Sequence, residues 1–205
     1  MPRVSQQRQV AKTLLAARGM ARMAELRDAG VTAATVSRME RDGDIVRLAR
    51  GLYQIQGAEL DAQHTLAEVA KIVPKGVICL TSALAFHGLT DQLPRKVWLA
   101  IGQSDWAPQR AHPPIRVVRM TDALLARDIE LHKIEGVSVR VFSAARTIVD
   151  CFRHRRSVGL AVAIEGLQEA LRQRIVKASD ITRHADRGGV TTIVRPYLEA
   201  LTANG

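Results

Sequence analysis

The sequence predicts an α+β protein: an N-terminal winged helix-turn-helix followed by a mixed α+β domain with a helical C-terminal part. Three observations predict it. Residues 32–55, TAATVSRMERDGDIVRLARGLYQI, read as a short basic helix followed by a tight hairpin. Two further short helical patterns precede that stretch, so residues 1–57 carry helix, helix, turn, helix and hairpin in the order of a complete winged module. Beyond residue 76, β-prone runs come first and helical periodicity later, which is the pattern of an α+β domain.

Taken in order, Ser5 suits the cap of a first helix with Val10, Leu14 and Leu15 as its inward stripe, ending near Gly19. Residues 21–28 form a second helix with Met23 and Leu26 inward. Ala29-Gly30-Val31 is then the short glycine-containing turn usual between the two helices of this motif. Thr32 suits the N-cap of the third helix and Gly43 the left-handed residue that ends it. Val36 and Met39 fall one helical step apart and face inward, leaving Ala34, Ser37, Arg38 and Arg41 outward. Residues 45–48 and 52–55 are the hairpin strands, with Ala49-Arg50-Gly51 between them.

A helix with small and basic residues outward, followed by a basic hairpin, fits a major groove with the wing on phosphate. Alone, the segment also fits an ordinary solvated helix and hairpin; the helices upstream favour the winged module. The DNA-binding residues expected are Ser37 and Arg38 near base edges and Arg41, Arg47 and Arg50 on phosphate. Arginine suits both tasks because its planar fork gives two hydrogen bonds to guanine edges or phosphate oxygens. Asp42 and Asp44 are expected to point away from the DNA.

The 205 residues carry a net charge of +10 and a pI near 10.5, which favours an acidic partner. Residues 1–57 hold 10 Lys+Arg against 5 Asp+Glu, net +5, and the remaining, longer part holds 20 against 15, also +5. Positive charge is thus densest on the winged module. Tyr53 is its only aromatic residue, so duplex DNA is expected over single strands. Cys79 and Cys151 lie far apart with no signal peptide ahead of them, from which a reduced cytoplasmic setting is expected. No apolar run approaches the roughly 20 residues that span a bilayer. The six histidines do not pair with the cysteines at metal-ligand spacing, and no metal or cofactor is expected.

A second domain is expected over residues 58–205. It opens with a helix carrying Leu66, Val69, Ala70 and Val73, stopped by Pro74-Lys75-Gly76. The run VICLTSALAFHGLT reads as a short strand turning into a helix capped by Thr81 or Ser82, with Leu84, Ala85 and Leu89 inward and Gly88 at its end. Residues 97–101, 115–120 and 137–142 read as strands, with long connections at 102–114 and 121–136. Ser143 caps a helix bearing Ile148, Val149 and Phe152. Residues 158–172 form another, with Leu160, Ile164, Leu167 and Leu171 on one face. Ser179 caps a third, and Gly188-Gly189 separates it from the last. Phosphate loops of the GxGxxG or GxxxxGK[ST] kind and the GxSxG elbow are absent, so no catalytic residue is assigned. Arg146 and Asp150 stand at i, i+4 spacing, read as a surface pair, and His87 precedes a helix-ending glycine, where an imidazole bonds carbonyls.

Three passages together carry a resemblance: IVRLARGLYQI, LTSALAFHGLT and ARTIVDCFRHRRSVGLAVAIEGLQEAL. The third closely resembles a run common in the AbiEi family of bacterial antitoxins, departing at Arg146, where lysine is frequent, and at His154, where an aromatic is. The resemblance covers nearly the whole chain. It implies an antitoxin of a type IV toxin–antitoxin system, a phage-defence class, encoded beside a nucleotidyltransferase-like toxin. Such proteins repress their own operon by binding inverted repeats and neutralise the toxin through the C-terminal domain. A monomer in solution that cooperates on DNA is expected. The alternative is an atypical kinase that phosphorylates the toxin, for which Asp150 and Asp122 are first candidates, and a repressor sensing a small effector is a weaker third.

Overall fold

The computed structural model describes residues 4–58, 63–108 and 112–203. The chain divides into two compact units. The first holds the described parts of Met1–Lys75 and Pro108–Ile115 together with His132–Val139. The second holds Gly76–Ala107, Arg116–Leu131 and the described part of Arg140–Gly205. The sequence predicts a division after Gly57; residues 63–75 belong to the first unit.

In the first unit the elements are α1 (Val4–Arg18), β1 (Met20–Arg22), α2 (Met23–Asp28), α3 (Ala33–Arg41), β2 (Ile45–Ala49), β3 (Leu52–Ile55) and α4 (His64–Ile72). The three strands form one antiparallel sheet in the order β1-β3-β2. The sequence predicts a helix from residue 21; residues 20–22 pair instead with β3, Met20 opposite Gln54 and Arg22 opposite Leu52. Three residues are too few to show a period of two, so only the partner strand reveals them. The register of β2 on β3 shifts between Arg47 and Ala49, a bulge that tightens the hairpin toward the Arg50-Gly51 turn.

Ala11, Leu15, Ala21, Leu26, Val31, Val36, Met39, Ile45 and Tyr53 form the core of this module. The inward stripe of α1 is Gln7, Ala11 and Leu15, whereas Val10 is exposed and Leu14 only half-buried. The apolar periodicity missed it because the first inward residue is polar and hydrogen-bonded, and Ser5 lies inside the helix. Thr32 caps α3 as the sequence indicates, accepting a hydrogen bond from the Thr35 amide, and Gly43 takes φ +75° just beyond the Asp42 C-cap.

The second sheet has the order β6-β5-β4-β8-β7, built from β4 (Val77–Ile78), β5 (Val97–Gly102), β6 (Ile115–Met120), β7 (Ile129–Ile134) and β8 (Val137–Phe142). β4 runs antiparallel to β5 and parallel to β8. The expected connection over 121–136 contains both α6 (Asp122–Leu125) and β7. β7 is an edge strand whose Leu131 is solvent-exposed and whose other members include Glu130, His132 and Lys133, so its hydrophobic signal is weak. Glu135 and Gly136 close the β7–β8 hairpin, both at positive φ as a type I′ turn requires.

The helices of the second unit are α5 (Leu80–Phe86), α7 (Ala144–Arg153), α8 (Arg155–Val158), α9 (Leu160–Arg172), α10 (Ala178–Gly188) and α11 (Thr191–Thr202). Its core gathers Leu84, Trp98, Phe142, Ile148, Phe152, Leu167 and Ile181, among others. The N-cap of α5 is Cys79; Thr81 and Ser82 lie buried in its first turns, where Ser82 Oγ accepts from the Trp98 amide at 2.9 Å. Ser143 caps α7 as the sequence indicates, while Lys177, not Ser179, precedes α10. On α9 the inward face is Val162, Ala163, Gly166, Leu167 and Ala170, and Leu160 is exposed. Small residues face inward because Leu84 seats against Gly166, where a Cβ would fall within 2.9 Å of a leucine methyl. That close approach turns Leu160, Ile164 and Leu171 off the central contact line.

Candidate nucleic-acid interface

Helix α3 places Ala34, Ser37, Arg38 and Arg41 at i, i+3, i+4 and i+7, and all four are exposed, while Thr35, Val36 and Met39 are buried beneath them. Arg38 lies along its own helix, its Nε donating to the Ala34 carbonyl at 3.2 Å. Arg47 is exposed on β2 and its Nε donates to the Ala49 carbonyl at 3.3 Å. Arg50 is exposed in the turn at the wing tip. Each of the five residues singled out from the sequence is therefore on the surface of the winged module.

The wing tip is pinned from beneath. The Met23 amide donates to the Gly51 carbonyl at 2.8 Å, and Arg22 Nη1 reaches the Arg50 carbonyl at 3.4 Å. Arg22 Nε also donates to the Lys71 carbonyl at 3.1 Å. Glu25 accepts from Lys71 Nζ at 2.8 Å, from Arg18 at 3.0 Å and from the Arg22 amide at 2.6 Å. Burial pushes its carboxyl up, but those donors outweigh it and hold the group below the usual carboxylate range.

The two acidic residues at the end of α3 are neutralised within the module. Asp42 meets Arg8 Nη1 at 2.9 Å; Asp44 meets Lys12 Nζ at 2.7 Å, and Arg8 through both Nε and Nη2. The Lys12 and Arg8 hydrogen bonds keep Asp44 below the ordinary carboxylate range. Both carboxylates are thus bound to α1.

A polar cluster that sequence periodicity did not single out sits at the other end of α3. Gln7, 6% exposed, presents Oε1 to Thr35 Oγ1 at 2.6 Å, to Thr32 Oγ1 at 3.1 Å and to the Thr32 amide at 3.2 Å. The available signal was a glutamine at an inward helical position four residues before Ala11.

In the second unit, Arg146 and Asp150 form a buried pair at 2.6 Å, 6% and 1% exposed, which corrects the reading of a surface pair. All of α7 from Ala144 to Phe152 is buried, because α5, α9, α10 and α11 all pack against it. Asp150 is committed to Arg146, whereas Asp122 is exposed in the first turn of α6. His87 Nε2 meets the Phe142 carbonyl at 2.8 Å, a structural contact to the end of β8 rather than to the terminal carbonyls of its own helix. Cys79 and Cys151 are buried free thiols, and burial raises both well above the usual range. Among the described residues, no group of three or more His, Cys, Asp or Glu is placed to hold a metal ion, and no helix is long and apolar enough to cross a membrane.

A three-stranded sheet, a helix-turn-helix and an exposed basic face define the class: a winged-helix module, in a chain that also carries an α+β unit. Residues 9–56 match the family described as transcriptional regulator, AbiEi antitoxin. Over that stretch the chain is similar to the AbiEi antitoxin regulators, the family that the sequence resemblance named. The RV2827C protein from Mycobacterium tuberculosis has a similar fold, with a TM-score of 0.64 and 14% identity over 98% of this chain and 78% of that one. No curated protein matches the chain.

Proposed function

We propose that this protein is the antitoxin and autorepressor of a type IV toxin–antitoxin system, working in the cytoplasm and serving phage defence. The winged module binds inverted repeats in its own promoter, and residues 58–205 neutralise a nucleotidyltransferase-like toxin encoded beside it. The observation that carries this reading is the exposed Ala34–Ser37–Arg38–Arg41 stripe beside a basic wing, in a segment that matches the antitoxin regulator family. Ser37 and Arg38 read base edges; Arg41, Arg47 and Arg50 hold phosphates. With Asp42 and Asp44 each paired to α1 cations, the stripe approaches DNA without unbalanced negative charge at its end. The protein is a monomer in solution and two copies cooperate on the repeats.

Two measurements test the proposal. Mobility shifts on a duplex from upstream of its own gene should show preferential, salt-sensitive binding; salt-independent binding would defeat the phosphate contacts, since neutralising phosphates releases counterions. Co-expression with the neighbouring gene should restore growth, and failure to do so would remove the antitoxin assignment. The phosphotransferase alternative predicts label transfer from ATP to the toxin by the wild-type chain, lost in an Asp150→Asn variant that melts as a folded protein. The burial of Asp150 against Arg146 favours growth rescue without transfer.

A further inference from the structure

Helix α1 grips α3 at both ends with neighbouring residues. Arg8 and Lys12 hold the carboxylates just past its C-terminus, and Gln7 holds its N-cap. The Gln7 contact is unusual in economy, since one side-chain oxygen faces three donors: the Thr32 amide, the Thr32 hydroxyl and the Thr35 hydroxyl. Thr32 Oγ1 in turn accepts from the Thr35 amide, so the cap and the clamp share atoms. Gln7 and Thr35 are buried, so the bond between them is sheltered from solvent, while Thr32 lies at the exposed edge of the cluster.

We infer that Gln7 is a positioning residue for sequence readout: it touches no DNA but fixes the attitude of the recognition helix. This inference rests on the DNA-binding reading above. The reasoning is geometric. Val36 and Met39 bury one face of α3 but are apolar, and apolar contact is non-directional, so it tolerates small rotations and slides along the helix axis. A hydrogen bond has a preferred distance and angle, and three on one atom fix the first turn of α3 relative to α1. Base-edge contacts need Ser37 and Arg38 placed to within a fraction of an ångström, whereas phosphate contacts through long, exposed arginines forgive more. Loss of the clamp therefore degrades discrimination between sequences before it degrades general affinity.

The test uses the full chain, with two duplexes of equal length and composition: one from upstream of its own gene and one scrambled. Gln7→Leu removes the acceptor at similar size; Gln7→Glu retains an acceptor for the same three donors. Well below the melting temperature, Gln7→Leu is expected to lower the ratio of own to scrambled affinity by tenfold or more. Its scrambled-duplex affinity and salt slope should stay within twofold of wild type, and Gln7→Glu should restore most of the ratio. Should Gln7→Leu fail to fold, Thr35→Val removes the shortest of the three bonds and is expected to lower the ratio severalfold. An unchanged ratio in a folded Gln7→Leu or Thr35→Val protein overturns the inference. A parallel loss on both duplexes overturns it too, since that is what a merely structural residue gives. A wild-type protein with no preference for its own duplex would instead bring down the DNA-binding reading beneath it.

Discussion

Arg38 and Arg50 stand in different parts of the winged module, one on the helix stripe and one at the hairpin tip, and the difference separates their expected effects. Arg38→Ala should cost about 1–3 kcal/mol on the upstream duplex and relax preference at one base position, while Arg50→Ala should reduce the salt slope by about one unit with little change in specificity. Titrations across ionic strength read both from one data set. The five candidate contact residues were legible because surface position on a short helix and hairpin follows from spacing alone. Burial of charge was not. Arg146 and Asp150 are spaced as an exposed pair would be, yet only the helices packed around α7 reveal that both are inside. Removing one partner of such a pair leaves the other charged and buried, so Asp150→Ala should destabilise the protein by about 3–5 kcal/mol. The double change Arg146→Met, Asp150→Leu should cost much less. Urea unfolding of both variants distinguishes a buried pair from the surface pair the spacing suggested, which would give under about 1 kcal/mol.

At the scale of elements, α3, the β2–β3 hairpin and α7 were readable because each carries a boundary signal of its own: Thr32 and Gly43, Arg50-Gly51, and Ser143. The elements that were missed take their conformation from a neighbour. β1 is a strand only through β3, β7 is an edge whose polar residues mask its alternation, and the face of α9 is turned by the close seat of Leu84 on Gly166. Gly19, between α1 and β1, shows how demanding such a junction is. It takes φ +69°, and a Cβ there would lie 2.0 Å from the Glu135 carbonyl oxygen. A left-handed alanine costs about 1–2 kcal/mol by itself, and the collision is with backbone that has no rotamer to move. Gly19→Ala is therefore expected to destabilise the protein by more than that left-handed cost, whereas Gly43→Ala, with open space around its Cβ, should lose only about the conformational part. Equal losses in thermal unfolding would show that the approach of Glu135 to Gly19 is not a tight one in solution.

For the molecule as a whole, charge and partition bear on different questions. The +10 excess, half of it within residues 1–57, favours an acidic partner but says nothing about where a stable fragment ends. The contacts do. Residue 57 closes the winged pattern in the sequence, but the described part of residues 58–75 adds α4, whose Lys71 both accepts from Arg22 and donates to Glu25. Arg22 is the residue that also reaches the wing-tip carbonyl of Arg50, so α4 braces the wing through one guanidinium. A cut after Gly57 leaves Glu25 with Arg18 and the Arg22 amide alone and removes the Lys71 carbonyl, one of the two main-chain acceptors of Arg22. A fragment of residues 1–75 should consequently melt higher than one of residues 1–57 and bind the upstream duplex more tightly, with a similar salt slope because both keep the same arginines. Lys71→Ala in the longer fragment should lower its melting point only in part, because the Lys71 carbonyl that receives Arg22 survives the substitution. If the two fragments melt together and bind alike, α4 contributes nothing to the winged module, and the bracing of the wing tip must come from the Met23–Gly51 bond and from Arg22 without Lys71.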